Sequence, residues 1–148
     1  MVTLNWIAIL VCSLVMFAGG ALWHGPIFGK LWMRIHHGEQ KFTDAQMKKM
    51  MEGMWKIMLA EFVAGFLMIM TLDFLIKVLP PGLAPGEGPA LAGAHAGFLV
   101  WLGFVLPTMI STVIWGGDMK KWMCTKITVS ASYRLIVLLV AGYVLGTW

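Results

Sequence analysis

Four long apolar runs, at about residues 4–23, 55–79, 91–115 and 127–148, govern what this 148-residue chain can fold into. A water-soluble core does not need unbroken apolar stretches, whereas a helix crossing a bilayer needs roughly 20 apolar residues. Each run is long enough to span, with some tilt. Composition agrees: 59% of the residues are hydrophobic and 12% are charged, well under the charged share of about 25% in an ordinary soluble domain. The chain therefore reads as all-α and polytopic, with four transmembrane helices in a single domain over 1–148 and no room for a separate soluble domain.

The basic residues give the bundle a direction. Lys30, Arg34, Lys41, Lys48, Lys49 and Lys56 follow the first run, and Lys120, Lys121 and Lys126 precede the last. The connection 80–89 has no lysine or arginine, and neither do the two ends of the chain. By the positive-inside rule, loops 24–54 and 116–126 face the cytoplasm and both termini lie outside. The net charge of +4 and the isoelectric point near 9.3 then reflect juxtamembrane residues that orient helices and attract anionic lipid, and no nucleic-acid partner is expected. Trp6, Trp23, Trp32, Trp55, Trp115, Trp122 and Trp148 lie near span ends, where an amphipathic ring suits the headgroups, and only Trp101 falls well inside a span. The first run has no positive segment before it, so it reads as a retained helix and not a signal peptide. Cys12 and Cys124 fall at different depths, so no disulfide between them is expected.

Between the first two spans, Thr43-Asp-Ala-Gln46 has the pattern of a capping box. It opens a short interfacial helix with Met47, Met50, Met51 and Met54 on one side and Lys48, Lys49 and Glu52 towards water. Gly53 is a candidate bend between this helix and the second span. Pro26 is expected to end the first helix, and Gly25 and Gly29 to allow a turn onto the interface. That stretch lacks the spacing of a phosphate loop. An echo links residues 23–32 with 115–122, but Trp and Lys recur at interfaces for ordinary reasons.

Several stretches resemble family 1761 of the domains of unknown function, small bacterial membrane proteins. The resemblance covers nearly the whole chain, through residues 5–11 (NWIAILV), 20–30 (GALWHGPIFGK), 97–107 (GFLVWLGFVLP) and 131–148 (ASYRLIVLLVAGYVLGTW). His24 and Arg134 depart from the family pattern, where Tyr, and His or Trp, are commoner. The resemblance implies four spans in a bacterial cytoplasmic (inner) membrane. It implies no activity, and it carries over no catalytic residue.

Intramembrane ionisable residues are costly, so function is sought among them first. At about 1.5 Å of rise per residue, Glu61 on the second span and Arg134 on the fourth enter from the same side to similar depth and can pair. Such a pair is either a clasp between helices or a transport site. Near the opposite face Asn5, Asp73, His95 and Tyr143 reach one level and can form an outer polar cluster, although Asp73 and His95 also fit as solvated near-surface residues. Met47, Met51, Met54 and Met58 follow 4-3-4 spacing, continued by Glu61, Gly65 and Met68, which suits a helix-packing seam. The same thioethers, with His24, His36 and His37 nearby, allow a weaker copper-handling reading. Gly93-xxx-Gly97 and Gly142-xxx-Gly146 are small-residue surfaces for close helix contact, with each other or with a second copy.

No Ser–His–Asp order and no paired carboxylates stand where they could meet a substrate, so the chain is not expected to be an enzyme or to need a cofactor. The leading expectation is a structural or accessory membrane component, self-associated or bound to a larger complex. The alternative is a small transporter or channel with a polar path at an oligomer axis.

Overall fold

A spanning segment must satisfy its own backbone N–H and C=O groups, because lipid offers no partners, and an α-helix does so internally. The computed structural model describes residues 3–38, 42–79, 86–117 and 120–148. Among these, no strand forms, and four helices are long and apolar enough to cross a membrane: Trp6–Ile27, Met54–Val78, Pro89–Trp115 and Lys120–Thr147. The chain is a multi-pass membrane protein. Lys41, most of the connection at 80–85, residues 118–119 and the side chains of His37 and Met50 lie outside the described residues.

Helix α1 (Trp6–Leu22) starts at Asn5, whose Oδ1 accepts a hydrogen bond from the Ala8 N–H at 3.2 Å. That capping bond satisfies one of the donors a helix N-terminus leaves open. Pro26 does not end the helix. A π-turn over Trp23–Ile27 carries the chain past it, closed by the Phe28 N–H on the Trp23 carbonyl at 2.9 Å. Proline has no N–H and crowds the carbonyl four residues back, and the wider turn relieves both problems.

Two short helices follow at the lysine-rich end. Sequence reasoning did not assign α2 (Gly29–His37), which buries Ile35 and exposes Lys30 and Arg34. Helix α3 (Asp44–Met51) has the expected capping box: the Gln46 N–H reaches Thr43 Oγ1, and the Thr43 N–H reaches Gln46 Oε1 at 2.9 Å. Gly53 then bends the chain with φ 79°, a left-handed backbone that glycine adopts without steric cost. The methionine stripe is therefore not one seam. Met47 and Met51 lie on α3, Met54 and Met58 lie on α4 (Met54–Val78), and Met47, Met51 and Met58 are exposed.

The third span is also interrupted. Helix α5 (Pro89–Val100) leads into a π-turn at Trp101–Val105, closed by the Leu106 N–H on the Trp101 carbonyl, before α6 (Leu106–Trp115). Pro107 is the second residue of α6, so each π-turn contains a proline or has one within two residues. Helix α7 (Met123–Thr147) completes the bundle.

The closest packing is between α5 and α7. A Cβ on Gly93 would overlap the Gly142 carbonyl oxygen, one on Gly97 that of Leu138, and one on Gly146 that of Pro89. The two glycine pairs thus face each other within one chain and bring the backbones into direct contact. Apolar helices gain nothing by hiding from lipid, so such contact and dispersion must hold them. Beside this pair, Ala8, Ile9, Cys12 and Met16 of α1 meet Ile69 and Leu72 of α4 and Leu138, Ala141 and Leu145 of α7 in one buried core.

Candidate functional site: a polar cleft between α1, α4 and α7

The glycine contact occupies the end of the bundle near the chain termini. Towards the lysine-rich end the helices part around a cleft of about 450 Å³. Ser13, Gly20 and His24 of α1 and its π-turn, Glu61 of α4, and Ser130, Tyr133 and Arg134 of α7 supply its polar or open wall, and Trp32 of α2 closes it. Its volume falls within the range of about 300–1,000 Å³ typical of ligand sites.

Glu61 and Arg134 meet here, as their matched depths predicted: Arg134 Nη2 donates to Glu61 Oε1 at 2.5 Å. The pair forms within one chain. It is unevenly buried, with the Glu61 side chain 52% exposed and that of Arg134 23%. Arg134 also lies beside the Tyr133 ring, 5.7 Å from its centre. The Tyr133 hydroxyl donates to the Met16 carbonyl on α1, and that bond is buried. Nearby, the indoles of Trp23 and Trp101 donate to the Val129 and Ala131 carbonyls of α7 at 3.0 and 2.9 Å. These bonds fasten α1 and the third span to α7 around the cleft, so the ion pair is not the only polar link there.

His24 belongs to this site as well. Its ring lies 5.6 Å from that of Tyr133 and 4.4 Å from that of Trp32, which in turn is 4.3 Å from His36. Its Nδ1 is buried without a hydrogen-bond partner. An unmatched polar atom in an apolar setting is a cost that native structures rarely leave standing. Sequence reasoning placed His24 at the end of its span and in the weaker copper reading, but did not group it with Glu61 and Arg134. The signal that could have found it is helical spacing, since residues 13, 16, 17, 20 and 24 form one face of α1 and all line the cleft.

The proposed outer cluster is only half assembled. Asp73 is fully buried and not solvated: its Oδ2 accepts from the Asn5 N–H at 3.2 Å and from Lys77 Nζ at 2.8 Å. It therefore supplies an anion at the N-terminus of α1, where the helix dipole favours one. The Asn5 amide donates to the Trp148 carbonyl at 3.3 Å, which ties α1 to the end of α7. His95 turns away to Glu87, 2.8 Å from its Nδ1, and Tyr143 is exposed on the outer face of α7. A shared level across the membrane does not imply a shared side of each helix. Among the described residues no three of His, Cys, Asp and Glu come together to hold a metal ion, and Cys12 and Cys124 are both free.

The cleft is thus lined by an ion pair, a histidine with an unsatisfied ring nitrogen and three hydroxyls against apolar walls. No curated protein and no solved structure matches this chain. Residues 7–146 match the model of the family described as protein of unknown function DUF1761, and the chain belongs to that family.

Proposed function

We propose that the chain is a non-enzymatic membrane protein that binds a solute or lipid in this cleft, as a carrier or as the receptor unit of a larger assembly. The observation carrying this reading is the ion pair on the wall of a 450 Å³ cleft, with the Glu61 side chain about half exposed. While the Tyr133, Trp23 and Trp101 hydrogen bonds fasten α1 and the third span to α7, the pair itself is the polar link from α4 to α7. The site is built within one chain, so the transport alternative does not require an oligomer axis. Self-association also loses its main sequence argument, because the glycine surfaces are used internally. The lysine pattern supports placing the cleft end in the cytoplasm and both termini outside, and the family resemblance supports a bacterial inner membrane.

The test is aqueous access. In a chain with Cys12→Ala and Cys124→Ala, Ser130→Cys should react with a charged thiol reagent added to proteoliposomes on the lysine-rich side. A thiol at residue 130 that stays unreactive on both sides would refute a working cleft. One observation favours a second reading as an accessory subunit. The third span is the least enclosed, with 11% of its apolar window buried against 33% for the last span. Its outer face suits a partner helix, and purification from native membranes without any co-purifying protein would remove that reading.

A further inference from the structure

The cleft has the chemistry of a particular ligand class. Arg134 spends one N–H on Glu61, while a guanidinium carries five donors in a fork suited to oxyanions. His24 lines the same wall, and its Nδ1 is enclosed there without a hydrogen-bond partner. In its Nδ1–H tautomer this atom donates, so a turn of the ring that uncovers it lets Arg134 and His24 together hold a carboxylate or phosphate oxygen. The elements at the mouth carry Lys30 and Arg34 on α2 and Lys56 on α4, all exposed, a charge arrangement that draws anions and repels cations. The rest of the lining is apolar, with Phe17, Phe62, Met58 and Met109 among it. A small hydrophilic anion would leave that surface without a partner. The volume of about 450 Å³ equals roughly fifteen water volumes at about 30 Å³ each, enough for a head and its first methylenes but not for a whole lipid.

We propose that the cleft takes the head of an anionic amphiphile, a long-chain carboxylate or lipid phosphate, on Arg134 and His24, with the first methylenes along the Phe17–Phe62 wall. Binding exchanges the Glu61 carboxylate on Arg134 for the ligand's oxyanion, and Glu61, already half exposed, turns towards the mouth. This rests on the cleft being a working site.

Purified protein in phosphatidylcholine nanodiscs is titrated with palmitate, with butyrate, with inorganic phosphate and with hexadecyltrimethylammonium. Palmitate is expected to bind saturably at one site, and Arg134→Gln to weaken it at least tenfold. His24→Phe, which keeps the ring contacts, should weaken it severalfold. Butyrate, inorganic phosphate and the cationic amphiphile should not compete. A lipid phosphate is then distinguished from a fatty carboxylate by competition with lysophosphatidic acid. Absence of saturable palmitate binding, equal competition by the cationic amphiphile, or unchanged binding in Arg134→Gln overturns the proposal. Equal binding of butyrate or phosphate overturns its amphiphile part. If residue 130 is reactive in the access experiment and palmitate does not bind, only the ligand class fails; if residue 130 is unreactive, the cleft reading itself fails.

Discussion

Replacing Gly97 by alanine tests the contact on which the bundle is built. The added Cβ would overlap the Leu138 carbonyl oxygen, an atom of the α7 backbone that no rotamer change can move. The helices must separate locally. Overpacking of this kind costs about 1–3 kcal/mol, and breaking each weak Cα–H···O bond between the separating backbones costs a further ~0.5–1 kcal/mol. Alanine recovers about 0.5–1 kcal/mol through its better helix propensity. The net loss is therefore about 1–3 kcal/mol, a drop of roughly 5- to 150-fold in the folded-to-unfolded ratio. Gly103 in the same span provides the control, because a Cβ there meets nothing within 4 Å. Reversible unfolding in mixed micelles, followed by tryptophan fluorescence, compares Gly97→Ala and Gly103→Ala with the unaltered chain. If the two variants unfold within about 0.5 kcal/mol of each other, the direct backbone contact between α5 and α7 is wrong.

Three further outcomes follow from the polar contacts and the exposed thiol. Tyr133→Phe removes the buried hydroxyl bond to the Met16 carbonyl while keeping the ring, and should destabilise by about 1 kcal/mol in the same unfolding assay. Asp73→Asn removes the buried charge shared by Lys77 and the N-terminus of α1, with an expected loss of about 1–2 kcal/mol. No loss would mean that Asp73 carries no charge-dependent role in holding the two helices together. Cys124 is exposed at the lysine-rich end and Cys12 is buried, so an impermeant maleimide should label inverted vesicles and leave intact cells unlabelled. Labelling of intact cells would reverse the proposed orientation.

Hydropathy and charge order made the four spans legible, because they are one-dimensional properties and the bilayer reads them one span at a time. Depth is also one-dimensional, which is why Glu61 and Arg134 could be matched from residue counts along their helices. The side each helix turns to its neighbours is not, so His95 and Tyr143 were grouped with Asp73 although they point elsewhere. Asp73 illustrates the same limit, since its burial depends on the α1 N-terminus 68 residues away. The methionine stripe failed for a local reason: 4-3-4 spacing assumes continuous helix, and the left-handed backbone at Gly53 breaks it. The two π-turns were missed because a single extra residue in a turn leaves no mark on hydropathy, although a proline in or near each was the available hint. Helix α2 was obscured by reading Pro26 as a stop.

The ion pair also has a consequence for biogenesis. Glu61 and Arg134 stand 73 residues apart in the chain, and membrane proteins are made from the N-terminus. Helix α4 therefore reaches the bilayer well before the guanidinium that balances its acid has been synthesised. The glycine contact between α5 and α7 and the core around Leu138 must wait for the same final helix. A chain that stalls before α7 is left with an unmatched carboxylate and an open apolar seam, both visible to membrane proteases. Arrival of the last span completes charge, packing and cleft in one step, so truncated copies should be cleared and not accumulate.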